Sequence, residues 1–146
     1  MRYAMAFLLF ALLGCGSSGQ QLHGVYAVTG TAYFSIQDLG HSSTQVSDTF
    51  RVSAGTDSEL LLTDAAGRCS LPADVEEGRV VLRPGGSCTY PGDNGLTLTV
   101  TLTRGTFSFS DGRGRFDMAG PVTATAWGRR YPGSFFQNAT LTRVGD

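Results

Sequence analysis

The chain has 146 residues with 11 basic against 12 acidic side chains, a formal net charge of −1. Every basic residue is an arginine, which removes lysine-based Schiff-base and nucleophile chemistry, and the near-neutral balance does not favour nucleic acid or a polybasic grip on lipid head groups. The length allows one domain with a single core.

The N-terminus has the three-part form of an export signal. Met1 to Tyr3 give a short positive start, Ala4 to Leu13 is uninterrupted apolar sequence, and the run ends in small residues at Gly14, Cys15 and Gly16. Ten apolar residues rise only about 15 Å as a helix, half the roughly 30 Å of hydrocarbon that a spanning segment must cross. A cleaved signal is therefore expected over residues 1–14.

Leu12-Leu13-Gly14-Cys15 resembles the lipobox of bacterial lipoproteins. The resemblance covers about fifteen residues and implies a diacylglycerol on the Cys15 thiol, cleavage just before it, and further acylation of the new N-terminus. Two or more acyl chains hold a protein durably at a membrane, where one holds only marginally. Gly16, rather than an acidic residue, follows the cysteine, which by the sorting rule of well-studied bacteria directs the protein to the outer membrane. Residues 15–21, with Gly, Ser and Gln after the cysteine, read as a flexible tether with a reach on the order of 13 Å. The domain proper is expected over 22–146.

Three cysteines would leave an odd thiol in an oxidising compartment. With Cys15 carrying lipid, Cys69 and Cys88 are free to bond to each other, and their separation excludes a Cys-x-x-Cys redox pair.

Beyond the tether the hydrophobic period is two. Leu22 to Gln37 reads as one long strand bent or broken near Gly30, followed by a polar stretch around His41 and short strands at Thr49–Ser53, Glu59–Thr63 and Arg79–Pro84. A single helical turn is conceivable at Ala73–Glu77. Gly95 to Thr103 alternates Leu96, Leu98, Val100 and Leu102 with threonines, the pattern of a strand with one face buried. Arg104-Gly105 is read as a turn into Thr106–Ser110, Asp111-Gly112 as a tight turn into Arg115–Ala119, Gly120-Pro121 as a break before Val122–Trp127, and Tyr131-Pro132-Gly133 as a turn before Ser134–Val144. About nine strands with short connections predict an all-β fold, a single antiparallel meander closing as a small β-barrel or a two-layer sandwich.

Catalytic signals are weak. His23 and His41 belong to no metal spacing, Glu76 and Glu77 sit beside Gly78 in a turn-like stretch, and no nucleophile elbow occurs. No enzymatic activity, cofactor or metal is expected. The turn Trp127-Gly-Arg129-Arg130-Tyr131, with Phe135 and Phe136 beyond it, combines aromatic and basic side chains suited to a binding surface. These residues predict a lipid-anchored envelope protein, membrane-held through Cys15, with a non-enzymatic role in binding another envelope protein or stabilising an assembly. A lipocalin-like barrel holding a small apolar ligand is the second expectation.

Overall fold

A computed structural model describes residues 19–146. The signal segment 1–14 and Cys15 lie outside the described residues. A short 3-10 turn, Gln20–Leu22, leads into ten antiparallel strands. They are β1 Gly24–Ile36, β2 Gly40–Ala54, β3 Leu60–Asp64, β4 Cys69–Glu76, β5 Arg79–Leu82, β6 Ser87–Pro91, β7 Thr97–Thr101, β8 Arg104–Ser110, β9 Arg113–Ala126 and β10 Arg129–Gly145.

The strand order β10-β1-β2-β3-β4-β5-β8-β9 returns to β10 through the β9–β10 ladder, so eight strands form a closed ring. Closure removes the free edges that an open sheet would expose. Strands β6 and β7 bridge β4 and β9 at one end of this ring. They continue β5 and β8 rather than adding positions: Gly85 N–H donates to Leu102 O and Leu102 N–H to Gly86 O, which joins the two bends. The result is an up-and-down barrel whose chain neighbours are its ladder neighbours.

Several expected boundaries move. Gly120-Pro121 does not interrupt β9, because these two residues fall where its partner changes from β8 to β7 and that side carries no ladder pairing. A Cβ on Gly120 would lie 2.0 Å from Thr101 O, so glycine permits the close crossing of the two backbones. Tyr131-Pro132-Gly133 lies inside β10, paired with Val122–Ala124. Arg104-Gly105 belongs to β8 and makes no hairpin. The segment Ala73–Glu77 is not helical: Ala73 to Glu76 complete β4 and pair with β5. The polar stretch around His41 is the first half of β2, and Ser87–Pro91 is a strand that the Gly-rich sequence around it concealed.

Alternation sorts the side chains. Tyr26, Val28, Phe34, Phe50, Val52, Leu60, Leu62, Leu71, Leu82, Phe107, Phe116 and Met118 are buried in one core. The intervening positions carry polar side chains such as Ser43, Gln45, Thr106, Asp117 and Asn138 outward, which is the inverse of a barrel that spans a membrane. Tyr26 meets Phe107 and Phe109 edge-on at centroid distances of 5.4 and 5.2 Å, and Phe50 meets Phe116 at 5.8 Å, so rings occupy the lumen at this level. Two polar side chains are buried as well: Asp64, which is hydrogen-bonded, and Gln137, 1% exposed, with no hydrogen-bond partner for Nε2 among the described residues.

The entry segment is fixed to one end of the barrel. Arg143 donates to the carbonyls of His23 and Gln21, the Tyr26 hydroxyl donates to Leu22 O, and Gly19 packs beside Leu60 and Val75. Of the polar stretch read as a tether, residues 19–21 are thus docked on the barrel.

Candidate functional site

The direction of each strand assigns every turn to one of two ends. The entry segment, the C-terminus of β10 and the turns β2–β3, β4–β5 and β8–β9 share the first end. The turns β1–β2, β3–β4, β6–β7 and β9–β10 share the other. The β9–β10 turn carries Trp127, so the aromatic and basic constellation sits at the end far from chain entry. Seventeen residues of β10 separate the two, about 55 Å along the strand.

At this turn the backbone takes a left-handed path. Trp127 and Gly128 have φ of 50° and 73°, the two positive values of a type I′ hairpin turn. Glycine adopts this freely, but a bulky residue does so only against steric resistance. Trp127 is nevertheless 75% exposed and buries little in return. Arg129 and Arg130, on either face of β10, are also exposed, and neither takes part in an ion pair among the described residues. Tyr131 is half-buried and packs against the core beneath them.

The two phenylalanines of the constellation part company. Phe135 points inward and meets Phe34 at 5.3 Å, whereas Phe136 is exposed on the outer face and stacks on Tyr33 at 6.3 Å. Ladder register sets Ser43, Tyr33, Phe136, Ala119 and Arg104 side by side across five strands. This row borders an open cleft of about 590 Å³ on the outer wall. The sequence signal for it was the alternation of Tyr33 and Phe136 with core residues, but only the closing β1–β10 ladder brings the two rings together.

The disulfide lies near the same far end. Cys69 of β4 and Cys88 of β6 are direct ladder partners with Cα atoms 4.1 Å apart, and the sulfurs are bonded. A charged cluster seals the turn beside them. Asp64 accepts from Cys69 N–H at 2.7 Å and from Arg68 at 3.1 Å, and Arg68 also reaches Asp48 at 3.0 Å. Burial works to raise the Asp64 carboxyl, but these hydrogen bonds outweigh it and hold it below its ordinary value. Tyr90 lies beside Arg68, its phenol pushed up to about 12 by burial and by the nearby Asp48 and Asp64 carboxylates. Each of these groups is engaged with its neighbours, which marks a structural clasp.

The remaining candidates do not converge. His23 precedes β1 at the entry end and His41 lies in β2 near the far end. Glu76 pairs with Arg79 across the β4–β5 turn, in which Glu77 and Gly78 have φ of 49° and 78°. Among the described residues no three His, Cys, Asp or Glu side chains gather as metal ligands, and no helix is long and apolar enough to cross a membrane. Compared with known proteins, the chain matches no family model, no curated protein and no solved structure.

Proposed function

We propose that this protein is a lipid-anchored component of a bacterial cell envelope, at the outer membrane, in which a rigid β-barrel presents the Trp127–Tyr131 turn to another envelope protein. The observation that carries the reading is Trp127, highly exposed in a left-handed backbone at the end opposite chain entry. A strained, exposed aromatic beside two uncompensated arginines fits a partner contact, since Trp and Arg dominate the energetic centres of interfaces.

The anchor and the turn act together. Only Gly16 to Ser18 separate Cys15 from the docked Gly19, a span of at most about 14 Å. A lipid on Cys15 would hold the entry end close to the bilayer and direct the Trp127 turn away from it. The ring packing of Tyr26, Phe107, Phe109, Phe50 and Phe116 favours this outward-facing role over a small ligand in the lumen.

A photo-crosslinking residue at Arg129 in living cells, with one at Arg79 of the entry end as the control, tests the proposal. The expected result is one defined protein adduct from position 129, absent from position 79 and lost when Trp127→Ala is added. Equal adducts from both positions, or none from position 129, would refute it.

A further inference from the structure

The outer wall of the barrel carries a slot that is separate from the Trp127 turn. In the row Tyr33-Phe136-Ala119-Arg104, the small Ala119 stands between the Phe136 ring and the Arg104 side chain, whose strands lie two places apart, about 10 Å between backbones. The gap above Ala119 is a depression of about 310 Å³, bordered also by Thr106, Asp117 and Asn138. It shares Arg104, Ala119 and Phe136 with the 590 Å³ cleft, and Asn138 with a third depression of about 370 Å³ beside Thr31 and Tyr33.

The chemistry of the slot is mixed in a defined way. Phe136 and Tyr33 are 42% and 49% exposed with ring planes 22° apart, so two aromatic rings stand out of an otherwise polar wall. The adjoining row, Thr31-Asn138-Asp117-Thr106, is polar throughout. Asp117 accepts from Asn138 at 3.0 Å and from Arg115 at 2.8 Å, which neutralises its charge and fixes both neighbours. The Asn138 side-chain carbonyl and the Thr106 hydroxyl keep acceptor and donor capacity toward the slot. Arg104 is exposed and takes part in no ion pair among the described residues, so the slot carries one uncompensated positive charge.

We propose that the slot and the depressions adjoining it bind an acidic polysaccharide, with one carboxylated pyranose ring seated between Phe136 and Arg104. The C–H face of a pyranose is apolar and packs on an aromatic ring, and its hydroxyls both donate and accept, as the Asn138 amide and the Thr106 hydroxyl do. Its carboxylate meets the Arg104 guanidinium in a paired, charge-assisted hydrogen bond. A flat aromatic acid would leave the row of Asn138 and Thr106 without partners. The depressions that continue past Phe136 and over Tyr33 accommodate the neighbouring units of a chain. Because the site lies on the side wall, it stays open whether or not the Trp127 turn is engaged.

Binding of the full chain to surfaces carrying polygalacturonate, alginate or hyaluronate, with dextran as the neutral control, tests this. At least one of the three uronate polymers is expected to bind with a Kd of about 1 mM or tighter, and dextran is not. Arg104→Gln removes the charge, and Ala119→Leu fills the slot while leaving its walls in place; each should weaken binding about tenfold or more, with the far-ultraviolet circular dichroism of the barrel unchanged. Trp127→Ala should leave binding as it is, which separates this site from the protein contact proposed above. Three results would overturn the proposal: no uronate polymer bound, dextran bound as well as the uronates, or binding indifferent to both Arg104→Gln and Ala119→Leu.

Discussion

At the scale of single residues, Trp127 sets stability against use. A type I′ turn favours Asn-Gly, and Trp at the first position works against the left-handed backbone by about 1 kcal/mol. Trp127→Asn should raise the thermal midpoint by about 3 °C, read by circular dichroism, while it abolishes the adduct at position 129. An unchanged or lower midpoint would mean that the ring contributes packing its exposure does not show. Gln137 makes the opposite case inside the barrel, where its unpaired Nε2 faces an apolar core between Ala32 and Met118 on the neighbouring strands. Gln137→Met keeps the length and removes the polar atoms, and should stabilise by about 1–2 kcal/mol in urea unfolding.

Tyr90 gives a pH signature. Its phenol is held neutral to about 12 in the fold, above the ordinary tyrosine value near 10. A group raised in the folded state contributes stability that is complete below the unfolded value and lost as pH climbs through the folded one. Stability should therefore fall between about pH 10 and pH 12, and Tyr90→Phe should flatten that fall. Identical alkaline profiles for the two proteins would contradict the assigned burial.

At the scale of elements, the disulfide ties the far end where the ring is least complete. Cys69 and Cys88 close a loop with a sequence separation of 19 and join β4 to β6, a pairing only two residues long. Replacing both cysteines with serine should cost about 3 kcal/mol, measured by urea unfolding, by releasing the loop in the unfolded chain.

The same elements show what was legible beforehand. Alternation in Leu96 to Leu102 and in Thr106 to Ser110, and the Asp111-Gly112 turn with φ of 52° and 78°, are strand and hairpin signals that need no tertiary context. Gly120-Pro121 and Tyr131-Pro132-Gly133 misled because Gly and Pro mark a turn only where the backbone lacks a partner on both sides. In β9 and β10 one neighbouring strand keeps the segment extended. The real turn, Trp127-Gly128, carried a single glycine behind a residue that rarely turns left-handed. Polar β2 lacked the buried face on which alternation depends, so Gly40–Ser47 read as loop.

At the scale of the molecule, closure of β10 onto β1 was not readable locally, since it joins segments at opposite ends of the domain, from Val25 with Gly145 to Ile36 with Gly133. Closure is what gives the barrel two ends and puts Trp127 opposite the docked entry segment. The constellation itself was visible in sequence, but its position at the end opposite chain entry was not. The whole account turns on Cys15. Intact mass of the membrane-fraction protein, beside Cys15→Ala, is the most direct measurement. The account predicts a chain starting at Cys15 with added acyl mass that the variant lacks, and two hydrogens gained on reduction of the Cys69–Cys88 bond. An unacylated soluble chain cut elsewhere would contradict it, and the far end of the barrel would lose its defined direction.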